Sequence, residues 1–257
     1  VVSLVRSRAL ASQANLHKVN LPSCTTVGNY AFQSCVSLTT VSLPACTSIG
    51  YSAFQGCSNL AKVSIPACTT LGSYAFQACY ALTSIDLPEC TQIANSAFTT
   101  CSNLTTANLP ACTNVGANAF SWCISLSAVN MPKCEEVAGS AFYSCRKLSV
   151  ISTSAQVALY SGAFAACSSL AVAYIPRCSR IGSTVFQSCS RLVSVNLTSV
   201  SYVIQLSSTD AFNNTPIDGR YSVAAGQYGS IFVPSSLYES FIVATNWSAF
   251  ASRIVGV

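Results

Sequence analysis

The spacing of the cysteines restricts the possible folds of this chain more than any other feature. Its fifteen cysteines are separated by eleven residues throughout, except for one interval of twenty-two in which Gln156 occupies the expected position. They form two alternating classes, since one follows a proline-containing pair, as in Pro44-Ala45-Cys46, and the other follows a phenylalanine by three positions, as in Phe54-Gln55-Gly56-Cys57. The true period is therefore 22 residues. A strict period of this length predicts a solenoid, in which each repeat packs against its neighbours.

Leucine and phenylalanine recur with the same period and define the extent of the repeats. The leucine column begins at Leu16 and ends at Leu192, and the phenylalanine column runs from Phe32 to Phe186. We predict a solenoid over residues 1–206 and a capping segment over 207–257. Residues 1–15 read as a degraded first repeat, and residues 149–160 as an irregular one that has lost its proline, cysteine and glycine.

Within a repeat, hydrophobic alternation predicts a strand followed by a tighter segment. From Leu38 to Leu43 the period is two, which indicates a strand with one buried face, and Pro44 ends it because proline lacks an N–H group. The Ala53-Phe54-x-x-Cys57 segment is too short for more than a helical turn, and it directs Phe54 into the core from the opposite wall. The predicted fold is an α/β solenoid, a right-handed superhelix with a parallel sheet on one face and short helical turns and loops on the other.

The composition excludes several classes of protein. Only 7% of the residues are charged, against roughly 25% in an ordinary domain, while 51% are hydrophobic and the mean hydropathy is +0.49. A disordered chain has the opposite balance. The apolar residues are scattered, so no membrane-spanning helix is expected. The net charge of +5 is too dilute for a nucleic-acid-binding surface.

The motifs of the repeat resemble those of a known family. The run Leu38-x-x-Val41-x-Leu43-x-x-Cys46-x-x-Ile49 is similar to a leucine-rich repeat. Its continuation Ile49-Gly50-x-x-Ala53-Phe54-x-x-Cys57 resembles the BspA-like leucine-rich repeats of bacterial and protist surface proteins, over about residues 2 to 206. The tail, from Ile231-Phe232-Val233-Pro234 to Thr245-Asn246-Trp247-Ser248, resembles the C-terminal end of such proteins in gut bacteria. The resemblance implies adhesion to a host protein or glycan.

Three roles are open for the cysteines: zinc ligands, disulfides between neighbouring coils, and small buried core residues. Zinc sites use closely spaced pairs, and here no two cysteines are closer than eleven residues. Disulfides between stacked coils are compatible with the Cα spacing, but side chains that stack in register point the same way, and fifteen is an odd number. We therefore favour free, buried cysteines that act as small hydrophobic residues.

The tail shows helical signals. Ser236-x-x-Glu239 after Pro234 predicts a capping box, followed by a helix with Leu237, Phe241 and Ala244 on one face. A second short helix would hold Trp247, Phe250 and Ile254, and one further strand is expected at Ile231 to Val233. The predicted role is a lid over the end of the core, and a specific partner site is the alternative.

No arrangement of residues predicts catalysis or a cofactor. The one histidine, His17, lies in a repeat column at the surface. Glu135 and Glu136 are adjacent in the sequence, so their carboxylates cannot face each other across a cleft. Asp86 lies on a strand, and Glu89 lies at the edge of that strand. No phosphate loop or hydrolase motif is present. We expect a chain that is not an enzyme and needs no cofactor or metal.

Variation on the outward strand face points to binding. On the 22-residue grid Lys147 and Arg191 share the column before the strand leucine, Lys133 and Arg177 share the column after the strand proline, and Tyr174 lies between these rims. With Asn130 and Asn196 from the outward column, they are the candidate ligand-binding residues. The charges favour an anionic partner, an acidic glycan or an acidic protein surface.

The sequence therefore predicts a non-enzymatic binding or adhesion module of a bacterial cell-surface or secreted protein, which recognises an extracellular protein or glycan. We expect it to be a monomeric fragment of a larger protein. One alternative is a structural spacer within such a protein. Another is an ice-binding or crystal-binding surface, suggested by the regular column Thr25, Thr47, Thr69, Thr91 and Thr113.

Overall fold

The computed structural model describes residues 3–219 and 228–257. The chain winds into a solenoid with parallel strands one repeat apart, as predicted. The strands of one sheet, which we call the face sheet, are mostly three residues long, and their middle residue points into the core. Its strands are Lys18–Asn20, Thr40–Ser42, Lys62–Ser64, Ser84–Asp86, Thr106–Asn108, Ala128–Asn130, Val150–Ser152, Val172–Tyr174, Ser194–Asn196, Ser230–Val233 and Ile254–Gly256.

A second parallel ladder, the side sheet, was not predicted. Each coil turns a corner after the proline and forms a strand of only two residues, whose second residue is buried. A run of two residues is too short to show the period-two alternation of a strand, so the sequence did not predict this sheet. Its strands are Leu4–Val5, Thr26–Val27, Ser48–Ile49, Thr70–Leu71, Gln92–Ile93, Asn114–Val115, Glu136–Val137, Ala158–Leu159, Arg180–Ile181 and Gln205–Leu206.

The third side of each coil, the turn side, consists of consecutive turns, and residues 3–208 contain no helix. The expected helical turn at Ala53 to Cys57 is not formed. Ser52 and Gly56 have left-handed φ values of 50° and 73°, which a right-handed helix does not allow. The N–H groups of Ser52 and Phe54 donate to the next coil, and those of Ala53 and Gln55 donate within their own coil. Phenylalanine rings stack along this side, with centroids 5.0 to 6.1 Å apart from Phe32 to Phe186.

All fifteen cysteines are buried, which confirms their prediction as core residues, and the structure has them as free thiols. Their thiols also donate hydrogen bonds. In the first class the Sγ of Cys46 donates to the carbonyl of Ser48, two residues on, at 3.3 Å. In the second class the Sγ of Cys101 donates to the carbonyl of Phe76 in the preceding coil, at 3.1 Å. Each thiol therefore fills a small core position and pairs a backbone carbonyl that faces the core.

The C-terminal segment forms one further coil over the end of the solenoid. Strand Ser230–Val233 pairs with Ser194–Asn196, and Ile254–Gly256 then pairs with Ser230–Val233. A 3-10 helix at Ser235–Leu237, an α-helix at Tyr238–Val243 and a 3-10 helix at Trp247–Arg253 join these two strands, and a further 3-10 helix at Thr209–Phe212 precedes them.

Two expectations about this segment were wrong. The α-helix begins after Leu237 and has no side-chain capping bond, and the N–H of Tyr238 pairs with the carbonyl of Ser235 in the preceding 3-10 turn. The predicted capping box is therefore absent. Ile254 belongs to a strand and not to the second helix, since it pairs with Ile231 at the edge of the face sheet.

Candidate functional site

The predicted ligand-binding residues lie on and beside the last coils of the face sheet. We call the surface formed by Lys133, Lys147, Tyr174, Arg177 and Arg191 the C-terminal face. The strands beneath it are in register, with Ser152 beside Tyr174 and Tyr174 beside Asn196. Tyr174 is 46% exposed. Lys147 and Arg191 are two coils apart at the start of their strands, about 10 Å in a parallel sheet. Lys133 and Arg177 are related in the same way beyond the strand ends.

The four cations of the C-terminal face are exposed. Within residues 3–219 and 228–257, none of them makes a hydrogen bond or an ion pair. Four other cations, Arg8, Arg146, Arg180 and Arg253, rest on aromatic rings, and Arg180 lies 5.3 Å from the ring centroid of Tyr160. The cations of the C-terminal face are therefore free to bind an anion.

The two asparagines of the prediction have partners within the fold. The Nδ2 of Asn130 donates to the Oδ1 of Asn108 at 2.7 Å, and Asn108 donates to Asp86 at 2.7 Å, which forms an amide ladder along the face sheet. The Oδ1 of Asn196 accepts from the hydroxyl of Thr198 at 2.9 Å. Asn130 also lies two coils before Tyr174. The structure thus groups Lys147, Arg177 and Arg191 with Tyr174, whereas Lys133 shares the coil of Asn130, and both asparagines are hydrogen-bonded within the fold.

Two aromatic residues of this surface were missed. Phe232 extends the outward column beyond Asn196, because Ser230–Val233 pairs in register with Ser194–Asn196. Its position in the grid was hidden by the loss of the repeat after residue 206. Tyr202, 49% exposed, lines a small cavity of about 90 Å³ together with Arg177 and Gln156. Tyr174, Phe232 and Tyr202 therefore give the C-terminal face aromatic surface as well as charge.

In the described part of the chain, the other side chains that could act as catalytic groups or metal ligands are not clustered into a site. His17 is exposed, with its Nδ1 3.3 Å from the carbonyl of Ser37. Within the described part of the chain, no three His, Cys, Asp or Glu side chains are grouped as metal ligands. Burial raises the pKa of the Cys57, Cys68 and Cys101 thiols to about 12, so these thiols stay protonated at neutral pH and are poor nucleophiles. Across residues 3–219 and 228–257 no helix is both long and apolar enough to span a membrane.

Solved structures of bacterial leucine-rich repeat proteins are similar to this chain. A protein from Eubacterium ventriosum is 25% identical with a TM-score of 0.53, and the match covers 59% of this chain and 43% of that one. The Treponema pallidum leucine-rich repeat protein is 26% identical with a TM-score of 0.48, over 74% of this chain and 78% of that one. A leucine-rich cell surface protein from Faecalibacterium prausnitzii is 21% identical with a TM-score of 0.42, over 100% of this chain and 87% of that one.

The chain spans less than half the length of the Eubacterium ventriosum protein. No curated protein matches it. The family model of the BspA-type leucine-rich repeat region matches residues 3–119 and 91–218, with six copies of the repeat. This match covers most of the chain, and it agrees with the 22-residue register of both sheets. The chain therefore belongs to the BspA-type leucine-rich repeat family.

Proposed function

We propose that this chain is a non-enzymatic binding module of a bacterial cell-surface or secreted protein, and that its C-terminal face binds an anionic extracellular glycan or protein. Leucine-rich repeat proteins commonly mediate protein binding or adhesion, and they are typically not enzymes. The observation that carries the proposal is the set of four exposed cations on the C-terminal face, none of which has a partner among the described residues.

The rigidity of the solenoid supports this assignment. Strands on either side of Tyr174 are joined by a continuous ladder from Val150–Ser152 to Ile254–Gly256, so Lys147, Arg177 and Arg191 project from a fixed frame. A preorganised surface loses little conformational freedom on binding. Guanidinium groups such as those of Arg177 and Arg191 bind carboxylate and sulfate in paired, charge-assisted hydrogen bonds. Tyr174 and Phe232 supply flat apolar surface for the same partner.

The hydrogen bonds of the threonine column weigh against the ice-binding alternative. Thr25 donates its hydroxyl to the carbonyl of Ser3 at 3.0 Å, and Thr69 and Thr113 donate to the preceding coil at 3.2 Å. With Thr47, four of the five hydroxyls of this column donate within the solenoid, and that of Thr91 is the exception.

The proposal is tested with a charge-reversal variant and a matched control. The variant carries Lys147→Glu, Arg177→Glu and Arg191→Glu, and the control carries Lys18→Glu, Lys62→Glu and Arg6→Glu, which change the net charge equally on exposed residues of the first coils. We expect the parent and the control to bind sulfated or uronic-acid glycans, or an acidic protein, on an extracellular ligand array. The variant should lose this binding, and salt should weaken that of the parent.

Equal binding by the variant and the control would place the ligand elsewhere. Absence of any ligand for the parent would favour the spacer, which holds another domain away from the cell.

A further inference from the structure

At one junction the hydrogen bonds between neighbouring coils are missing from both sheets. The face sheet is interrupted between Lys62–Ser64 and Ser84–Asp86, and the side sheet between Thr70–Leu71 and Gln92–Ile93. The turn side stays joined, since Phe76 donates its N–H to the carbonyl of Ala97 at 2.8 Å. The two coils are therefore hinged at the turn side and separated along both sheets. We call the side-sheet part of this gap, between Thr69–Ser73 and Thr91–Asn95, the open junction.

Comparison with an intact junction shows which groups lose their partners. Thr47 donates both its N–H, at 2.9 Å, and its hydroxyl, at 3.3 Å, to the carbonyl of Thr25. At the open junction neither group of Thr91 reaches the carbonyl of Thr69, and the contact that remains there is the Sγ of Cys90 at 3.7 Å. One coil later the regular pattern returns, because Thr113 donates N–H and hydroxyl to Thr91 at 2.8 and 3.2 Å.

A second pair of backbone groups is released beside the first. In the preceding junction Gly72 donates its N–H to the carbonyl of Ile49 at 2.8 Å. Ala94 occupies the glycine position in the next coil, and among the described residues its N–H has no acceptor and the carbonyl of Leu71 receives no N–H from it. The open junction therefore presents two carbonyl acceptors on one edge, and the N–H groups of Thr91, Gln92 and Ala94 on the other.

These groups line a cavity of about 380 Å³. This volume falls within the range of small-molecule sites, about 300 to 1,000 Å³. Polar side chains complete the lining, and every one of its residues is uncharged: Thr69, Thr70, Leu71, Ser73, Thr91, Gln92, Ile93, Ala94, Asn95, Asn114 and Gly116. Such a site offers no compensation to an ionic ligand, and an apolar ligand would leave its backbone groups unpaired.

We propose that the open junction binds a neutral sugar residue. A sugar hydroxyl both donates and accepts, so adjacent hydroxyls match the carbonyls of Thr69 and Leu71 together with the N–H groups opposite them. The amide of Gln92 and the hydroxyl of Thr91 add groups of the same kind. This site is on the side sheet, so it is separate from the C-terminal face and takes a different class of ligand.

The test is an NMR titration of the whole chain with glucose, galactose and N-acetylglucosamine, at tens of millimolar so that weak binding is detected. We expect at least one of these sugars to shift the amide signals of Thr91, Gln92 and Ala94. Thr91→Val should weaken that sugar about fivefold, the effect of one lost hydrogen bond. Thr47→Val is the matched control: its hydroxyl is already used within the fold, so it should lower thermal stability and leave sugar binding unchanged.

Two results would overturn the proposal. One is that none of the three sugars shifts these amides, or that the shifts appear only around Tyr174. The other is that the amides of Thr91, Gln92 and Ala94 exchange with solvent as slowly as that of Thr113, because the junction would then be closed in solution. Neither result bears on the anionic partner of the C-terminal face, which is assayed with the Lys147, Arg177 and Arg191 variant.

Discussion

The cysteine columns show how one residue type meets two requirements at once. A coil interior has room for a small side chain, and carbonyls such as those of Phe76 and Ser48 point toward it. Alanine would fit the space but pair nothing, whereas cysteine fills the space and donates a weak hydrogen bond from its thiol. Cysteine number therefore reflects packing in this chain, and it does not indicate an oxidising compartment.

Thiol titration tests this interpretation directly. The native protein should expose few reactive thiols, since all fifteen are buried. Unfolding without a reductant should reveal close to fifteen by reaction with a disulfide reagent. If the unfolded chain instead shows about one, the columns are bridged between coils, and the packing argument fails.

Burial of the thiols also predicts sensitivity to alkali. The pKa of Cys112 rises to about 11 and those of Cys57 and Cys101 to about 12, whereas an unfolded cysteine ionises near pH 8.5. The unfolded state therefore loses protons first, and stability that is complete below about pH 8.5 falls as the pH rises toward the folded values. Each such thiol therefore lowers the free energy of unfolding by about 1.4 kcal/mol for each pH unit within this window.

Urea unfolding at a series of pH values between about 7 and 11 measures this slope. Cys101→Ala should make the slope shallower by the contribution of one thiol, even though the variant is less stable at neutral pH. A free energy of unfolding that stays constant up to about pH 10 would contradict the prediction.

At the scale of the coil, the close approach of neighbouring backbones favours glycine at one position of the repeat, as at Gly50 and Gly72. A Cβ built on Gly72 would lie 2.6 Å from the carbonyl carbon of Gly50 in the preceding coil, whereas one built on Gly139 would meet the carbonyl of Ser161 at 3.4 Å. Gly72→Ala should therefore reduce the free energy of unfolding by about 1 to 3 kcal/mol, the usual cost of overpacking. Gly139→Ala, the matched control, should cost less than Gly72→Ala. Chemical denaturation compares the two, and equal effects would show that the coils relax freely.

Features set by the repeat could be predicted from the sequence, and features set by the fit between coils could not. Proline, leucine and phenylalanine columns identified the face sheet and the core, and the grid placed Lys147, Arg191 and Tyr174 on one surface. The side sheet was missed because its strands have two residues each. The open junction was invisible because Thr91 continues a regular column, and only the separation of its coil from Thr69 releases its hydroxyl.

On the scale of the whole molecule, the solenoid is one continuous core whose last coil needs a cover. The phenylalanine stack continues from Phe186 to Phe212 at 5.7 Å, and the ring of Phe250 then closes it edge-on at 5.1 Å. Trp247 is buried and donates its Nε1–H to the carbonyl of Ile204 at 2.8 Å, so the final segment is tied to the end of the side sheet. The exposed edge of the face sheet is Ile254–Gly256, a short strand.

Removal of this cover should cause the protein to self-associate. Deletion of Leu237 to Val257 would uncover Phe212 and leave Ser230–Val233 as an unprotected sheet edge, so we expect aggregation or end-to-end association in place of a shorter soluble solenoid. Trp247→Ala is the milder variant, expected to lower stability by about 3 to 5 kcal/mol while the edge strand stays in place. Light scattering and thermal melts distinguish the two. A monomeric deletion variant with the thermal stability of the parent would show that the core ends before the cover, and that residues 237–257 are free to serve a partner.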